Sequence, residues 1–198
     1  MNESQAYLNK TDEELVILIL KEKEVYRYLI QRYGGKLKRY IIRLSGVSQE
    51  DAEDILQEVF IKTYRKLNDF DRKLKFSSWV YRITYNETVT YLRKRSRKPR
   101  TFNFEINAFM LDALKAGLDI EKDYDRKNLS ENVSKIMNEL GGKYKEVLVL
   151  RYIEDKDYEE ISDILKKPIG TVATLLKRAK EQFKKEMEKN NYLLREYV

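Results

Sequence analysis

Apolar side chains recur every three or four residues along most of the chain, the spacing of α-helices that bury one face. The longest such series is Val25, Leu29, Tyr33, Leu37, Tyr40, Ile41 and Leu44. Gly34-Gly35 interrupts this series and predicts two helices joined at the glycine pair. A second apolar series begins at Ala52, directly after the helix-start signal Ser48-Gln49-Glu50-Asp51.

Further helices are predicted wherever this spacing resumes after a turn signal. Thr11-Asp12-Glu13-Glu14 is a capping-box pattern that precedes an apolar run. Residues 68–76 break the periodicity and are predicted to form a loop. The remaining helices are expected at about 77–95, 129–139, 143–153, 158–165 and 169–188.

Residues 97–128 differ from the rest because they contain Pro99 and Gly117 and lack a sustained apolar stripe. They predict an inter-domain linker with a short helix near 109–115. The expected fold is therefore all-α, with two small helical domains joined by a flexible linker. The domains are predicted at 1–98 and 129–198, with the linker at 99–128 and a helix-turn-helix in the second domain.

Composition removes several classes of chemistry. The 198 residues include no cysteine and no histidine, which excludes disulfides, Cys/His zinc sites and His-based catalysis. We therefore expect no cofactor and no site of these kinds. The longest apolar run, Leu15 to Leu20, is too short to span a bilayer, and no signal peptide opens the chain. The sequence predicts a cytoplasmic protein that is not inserted in a membrane.

Charge is uneven along the chain, although the net charge is only +7. Residues 49–58 carry five acidic side chains and no basic one, whereas residues 91–100 carry six basic side chains and no acidic one. Residues 166–185 carry seven basic side chains and one acidic one. Separate acidic and basic blocks indicate more than one partner, although solvated helix faces would give similar runs.

The most specific local pattern lies between residues 158 and 185. Two helices share one apolar side and are separated by Lys166-Lys167-Pro168, which is the layout of a helix-turn-helix. The second helix exposes hydroxyls that can bond base edges and cations that can neutralise phosphates. These candidate DNA contacts are Thr171, Thr174, Lys177, Arg178 and Lys180. An ordinary helical hairpin with a basic outer face is the alternative.

The acidic block places side chains on one face of a helix, opposite the stripe of Ile55 and Val59. The members of this face are Asp51, Asp54, Gln57 and Glu58. A docking surface for a basic partner, a site for a hard cation and an inert solvated face all stay open on this evidence.

Aromatic and basic residues interleave from Asn68 to Arg95. Rings that stack on unpaired bases, together with cations along the backbone, are typical of proteins that bind single strands. Aromatics at helical spacing are also common in cores, and Trp79 fits that role. Phe70 lies among polar residues, so it is predicted to be a contact residue.

In this order, the segments DAEDILQEVFIKTYRKLNDFD, KFSSWVYRITYN with YLRKR, KYKEVLVLRYIED, and YEEISDIL with PIGTV and KRAK resemble a bacterial RNA polymerase sigma factor of the extracytoplasmic-function type. The resemblance covers about 25–98 and 129–188. It implies a specificity subunit, with no metal site and no enzymatic activity of its own, that directs core RNA polymerase to promoter DNA. An anti-sigma factor stays open as a further partner.

The resemblance also implies roles for the candidate residues. The helix with Asp51, Asp54, Gln57 and Glu58 would dock on core polymerase. The −10 element would be read, with melting of the duplex, by Asn68, Phe70, Asp71, Lys75, Phe76, Trp79, Arg82 and Asn86. The −35 element would be read by Thr171, Thr174, Lys177, Arg178 and Lys180.

The sequence departs from the family pattern at three places. Thr90 stands where an Asp is common, Gly141-Gly142 replaces a usual proline, and the recognition helix has Ala173 and Leu175 where two cations are usual. These departures predict a different −35 preference within the same class. A stand-alone helix-turn-helix regulator is the alternative function, but it would not explain the acidic helix beside the aromatic and basic one.

Overall fold

The protein is predominantly helical in the part that the computed structural model describes, residues 7–95, 108–118 and 126–189. The α-helices are α1 (Asp12–Ile19), α2 (Tyr26–Ser45), α3 (Gln49–Arg65), α4 (Phe76–Arg95), α5 (Ala108–Leu118), α6 (Arg126–Glu139), α7 (Gly142–Leu148), α8 (Tyr158–Leu165) and α9 (Ile169–Lys189). A π-helical turn, Val149–Ile153, continues α7. These described ranges contain no β-strand, which confirms the predicted all-α class.

The chain divides into two compact units. The first comprises Met1–Pro99 and Asp163–Leu165, and the second comprises Arg100–Ser162 and Lys166–Val198. In the first unit, α1 packs on α2, and α2, α3 and α4 pack on one another. Its core is built from the predicted apolar stripes, and the fully buried side chains include Leu15, Leu37, Tyr40, Ile41 and Val59.

The prediction that Gly34-Gly35 separates two helices is wrong, because α2 runs unbroken through both glycines. The apolar spacing on either side is in phase, so a single helix buries Leu29, Tyr33 and Leu37 on one face. The gain from that buried face outweighs the roughly 1 kcal/mol that each glycine costs in a helix interior. The real end of α2 is Gly46, whose φ of 64° forms a left-handed cap.

The middle of α4 has weak helix propensity, and buried threonines adapt to it by bonding locally. The Thr84 hydroxyl donates to the Val80 carbonyl and the Thr88 hydroxyl donates to the Thr84 carbonyl, both at 2.8 Å. Each buried hydroxyl is thereby satisfied within its own helix. The helix therefore continues to Arg95, as the flanking residues predicted.

The second unit includes a helix from the segment that the sequence predicted to be a linker. Helix α5 covers the expected short helix near 109–115 and packs on α6 and on the π-helical turn. Met110, Leu111 and Leu114 are buried on this packed face. The predicted linker residues 99–107 and 119–125 lie outside the described residues.

The helix-turn-helix segment has clear local start and stop signals. Asp157 and Glu160 form a reciprocal capping box at the start of α8. Lys166 ends α8 in the left-handed conformation, with a φ of 52°. The Ser162 hydroxyl then donates to the Lys167 carbonyl at 2.6 Å and fixes the turn before α9. Helix α9 buries Val172, Leu176, Ala179, Phe183 and Met187, and it packs on α6 and α7.

Candidate nucleic-acid and protein-docking surfaces

The acidic face of α3 is presented to solvent. Ala52, Ile55 and Val59 are buried on the inner side of this helix. Asp54, Gln57 and Glu58 are exposed on the outer side, which agrees with the predicted division of the helix. The structure therefore brings these three polar side chains together on one accessible surface.

Asp51 differs from the other three residues, because it binds within the protein. It is half-buried, it accepts a hydrogen bond from the Tyr91 hydroxyl at 2.7 Å, and it pairs with Arg95. The Arg95 guanidinium also lies 5.5 Å from the centre of the Tyr91 ring. Burial, followed by the bond to Asp51, raises the pKa of Tyr91 above its ordinary value. Asp51 thus connects α3 to the last turns of α4.

An apolar groove continues the acidic face along α3, and sequence reasoning missed it. Its volume is about 420 Å³, and its apolar lining consists of Tyr26, Ile30, Phe60, Ile61 and Tyr64. Ile61 follows Gln57 and Glu58 by one turn and is 43% exposed. The available signal was that Ile61 and Tyr64 fall outside the buried stripe of Ala52, Ile55 and Val59.

Internal bonds hold one wall of this groove. The Tyr26 hydroxyl donates to the Phe60 carbonyl at 2.8 Å, and the Tyr26 ring lies 5.1 Å from the Tyr64 ring. Burial raises the pKa of Tyr26 above its ordinary value, so this phenol stays a hydrogen-bond donor even in alkaline solution. The groove is consequently a preformed and mainly apolar surface beside a negative one, and the side chains of Lys23 and Arg65 also line it.

The aromatic residues predicted to read DNA form a packed cluster instead of an exposed platform. Phe70 is 5% exposed, Phe76 is 1% exposed and Trp79 is 5% exposed. The ring centres are 5.6 Å apart for Phe70 and Phe76, and 5.2 Å apart for Phe70 and Trp79. Each pair has a tilted or edge-to-face geometry, which is favourable between rings. Phe70 is therefore not exposed as its polar neighbours suggested, because its ring anchors the loop to the core.

Polar members of the same predicted set do face solvent. Asn68, Asp71, Lys75 and Asn86 are exposed, and Arg82 is half-buried. Asp71 also shapes the loop, since its side chain accepts from the Lys73 N–H and its carbonyl accepts from the Leu74 N–H, both at 3.0 Å. This turn presents Arg72, Lys73, Leu74 and Lys75 at the loop surface, where Leu74 is 42% exposed.

The outer face of α9 carries most of the predicted duplex contacts. Thr171, Thr174, Lys177 and Arg178 are exposed and share the side opposite the buried stripe. The Thr174 hydroxyl donates to the Gly170 carbonyl at 2.8 Å, which leaves its lone pairs available as acceptors. This face can enter a major groove with hydroxyls and cations directed at the DNA.

Lys180 and Leu175 lie at opposite edges of that face. The Lys180 ammonium is 5.4 Å from the centre of the Tyr152 ring, which belongs to the π-helical turn. Leu175 is half-buried, beside the apolar stripe. Helical spacing places both side chains about 70° from the centre of the stripe, so each lies at a rim.

Two negative findings narrow the chemistry of these surfaces. Among the residues that the structure describes, no group of three or more acidic side chains is arranged to hold a metal ion. None of the helices in those ranges combines the length and the apolar character needed to cross a membrane.

Comparison with known families finds a separate family match in each of the two units. Residues 29–98 match the family described as Sigma-70 region 2. Residues 130–183 match the family described as Sigma-70, region 4. The acidic face of α3 and the aromatic cluster lie within the first match, and the helix-turn-helix lies within the second.

Curated relatives match nearly the whole chain. The ECF RNA polymerase sigma factor SigW of Bacillus subtilis is 31% identical over 180 residues, which span 84% of this chain and 90% of that protein. The ECF RNA polymerase sigma-E factor of Haemophilus influenzae is 31% identical over 186 residues, 90% of this chain and 96% of the relative. The sigma-E factor of Escherichia coli K12 is 30% identical over 178 residues, 86% and 91% of the two chains.

Solved structures share the fold. CnrH, solved in complex with the cytosolic domain of CnrY, aligns with a TM-score of 0.64 at 22% identity and covers 90% of this chain and 98% of that one. The sigma factor RpoE from Bartonella quintana, solved with the anti-sigma factor NepR, aligns with a TM-score of 0.59 at 22% identity, over 82% and 96% of the two chains.

Proposed function

The chain belongs to the ECF sigma factors of bacterial RNA polymerase, and from that premise we propose how its two units divide the work of promoter recognition. As a sigma factor it directs RNA polymerase to promoters. The observation that supports the division most directly is that each matched region exposes a different surface. The first unit exposes acidic and apolar groups on α3, and the second exposes hydroxyls and cations on α9.

Core polymerase docks on α3 in this proposal. Asp54, Gln57 and Glu58 supply exposed acceptors for a basic partner, and the groove with Ile61 and Tyr64 supplies adjoining apolar area. An interface of this kind combines electrostatic steering with apolar burial. Asp51 contributes by holding α3 against α4, since its carboxylate binds Tyr91 and Arg95.

The −10 element is read by the loop 68–75 and the exposed side of α4. Asn68, Lys75 and Asn86 face solvent and can bond unpaired bases or the backbone. Phe70, Phe76 and Trp79 support this surface from within. Arg82 and Asp71 lie beside it, and Asp71 also fixes the loop turn.

The −35 element is read by α9. Thr171, Thr174, Lys177 and Arg178 would contact the major groove, and Lys180 lies at the rim of the same helix.

The protein itself carries no catalytic group in this proposal, because catalysis belongs to the polymerase that it directs. It acts in the cytoplasm, where the polymerase is. An anti-sigma factor is a further proposed partner, as CnrH and RpoE were each solved with a partner protein bound.

Charge reversal on α3 tests the docking proposal. We expect Asp54→Lys/Glu58→Lys to weaken binding to core polymerase by roughly 10-fold or more, because reversed interface charges repel a basic partner. Both side chains are exposed, so the fold should be unaffected. The matched control is Glu131→Lys/Glu139→Lys, which changes the net charge equally on exposed positions of α6.

A pull-down on core polymerase with a salt series measures the effect. Retention of the α3 double variant at the wild-type level would contradict the docking proposal. If neither the wild type nor any variant binds core polymerase, the result favours the alternative function of a stand-alone helix-turn-helix regulator.

A further inference from the structure

The first turn of α1 reaches across the first unit to the start of α4. The Glu13 side chain accepts a hydrogen bond from the backbone N–H of Phe76 at 3.0 Å, although 63 residues separate them. Phe76 is the first residue of α4, so its N–H has no acceptor within that helix. A carboxylate at this position satisfies the N–H and complements the positive end of the helix dipole.

The sequence near the start of α4 does not offer the usual local cap. The residue before the helix is Lys75, whose side chain has donors and no acceptor. Serine, threonine, aspartate or asparagine at this position would cap the helix from its own sequence. The start of α4 therefore draws an acceptor from α1.

The Phe76 side chain is held at the same junction. Its ring lies 5.6 Å from the Tyr33 ring and 5.6 Å from the Phe70 ring. The Tyr33 hydroxyl in turn donates to Asp12, which also pairs with Arg32 at 2.5 Å. Two adjacent acidic residues of α1 thus hold Phe76, one directly through its backbone and one through Tyr33.

We propose that Glu13 is a positioning residue for promoter melting, because it fixes the junction between the loop 68–75 and α4. This inference rests on the proposed −10 function of that loop and helix. Glu13 lies outside the region matched by Sigma-70 region 2, which begins at residue 29. Loss of its carboxylate would release the Phe76 N–H, let the first turn of α4 fray and displace the exposed side chains on either side. Docking on polymerase would be unaffected, since α3 carries that surface.

The test compares three full-length variants. Glu13→Ala removes the acceptor, whereas Glu13→Gln keeps an oxygen in the same position and should rescue it in part. Glu14→Ala is the matched control, because Glu14 lies one residue further along and accepts from the Thr11 N–H at 2.8 Å. It weakens the cap of α1 without touching Phe76.

Two measurements are made on each variant. Amide hydrogen exchange at Phe76 in the free protein reports the hydrogen bond itself. Permanganate reactivity of −10 thymines in the polymerase holoenzyme, on a promoter that the wild type melts, reports the functional effect. Binding to core polymerase is measured alongside.

We expect Glu13→Ala to speed exchange at Phe76 by roughly 10-fold or more, the scale of one charge-assisted hydrogen bond. Promoter melting should fall by a similar factor while polymerase binding stays unchanged. Glu14→Ala should remain close to the wild type in both measurements, and Glu13→Gln, which keeps the acceptor but loses the charge, should lie between the wild type and Glu13→Ala.

Wild-type melting by a folded Glu13→Ala holoenzyme would overturn the inference. If Glu13→Ala does not fold, the wild type and Glu13→Gln decide: exchange at Phe76 as fast as in an unprotected amide, in either folded protein, contradicts the contact. If the wild-type holoenzyme melts no promoter, the proposed function fails, whereas the exchange data still judge the contact between Glu13 and Phe76.

Discussion

At the residue scale, burial separates side chains that look alike in the sequence. Phe70 and Leu74 both lie in a polar loop, yet Phe70 is 5% exposed and Leu74 is 42% exposed. The local sequence cannot distinguish them, because the partners of Phe70 are Phe76 and Trp79 in the next helix. Only the fold of the chain decides which apolar residue turns inward.

This difference in burial predicts that truncating Phe70 destabilises the protein far more than truncating Leu74. Phe70→Ala should lower the free energy of unfolding by about 3–5 kcal/mol, because it removes a buried ring and leaves a cavity. Leu74→Ala should change it by less than about 0.5 kcal/mol, as is usual at exposed positions. Urea denaturation of both variants measures the difference. Equal stability of the two would contradict the buried position of Phe70.

Lys145 is a second residue whose environment is hidden from the sequence. It is 5% exposed, and this burial lowers its pKa from 10.5 to about 8. The folded state therefore binds fewer protons than the unfolded state between these two values. Stability from this group consequently rises with pH across that window, and its full cost is present below the folded value.

Lys145→Met tests this linkage. The wild type should gain stability relative to the variant, on the order of 1–3 kcal/mol, as pH rises from about 8 to 10.5. Other titrating groups are common to both proteins and cancel in the comparison. Urea unfolding at several pH values is the measurement, and a difference that stays constant across the window would show that Lys145 is not desolvated.

At the element scale, periodicity predicted the helices better than individual residue propensities did. Gly34-Gly35 suggested a break, yet the in-phase apolar series on both sides produced one helix, α2. The boundaries of α3, α8 and α9 followed from caps and turn residues that lie in the sequence itself. The start of α4 was different, because its acceptor comes from Glu13, and no local pattern reveals such a partner.

Helix α5, in the segment predicted to be a linker, also depends on a partner that no local sequence pattern reveals. Gly117 lies so close to the Tyr152 ring that a Cβ atom added there would be 2.1 Å from a ring carbon. This close approach explains a glycine near the end of the helix. The ammonium of Lys180 in α9 lies over the same ring, so Tyr152 stands beside both α5 and α9.

Gly117→Ala should therefore destabilise the protein by about 1–3 kcal/mol, since the ring must move to admit the methyl group. Gly142→Ala is the matched control, because an added Cβ at this helical glycine meets nothing within 4 Å. It should be neutral or stabilising by up to about 1 kcal/mol. Thermal unfolding of both variants is the measurement, and a neutral Gly117→Ala would mean that α5 does not pack on Tyr152.

At the scale of the whole molecule, charge and exposure together distinguish three surfaces with different chemistry. The acidic face of α3 adjoins an apolar groove, the loop 68–75 presents cations, and α9 presents hydroxyls and cations. The order of these segments along the chain could be predicted from the sequence and matches Sigma-70 regions 2 and 4. The groove could not be predicted, because it forms where Tyr26 and Ile30 of α2 meet Phe60, Ile61 and Tyr64 of α3.

The most direct test of the central claim is run-off transcription from a genomic promoter library with purified core polymerase. We expect discrete transcripts only when the full-length protein is added. They should be lost with Asp54→Lys/Glu58→Lys but not with Glu131→Lys/Glu139→Lys. Sequencing the initiated templates would then give a shared pair of elements upstream of the start sites. Binding to core polymerase without a specific transcript from any template would contradict the promoter-directing role. Binding to DNA without polymerase would contradict it as well.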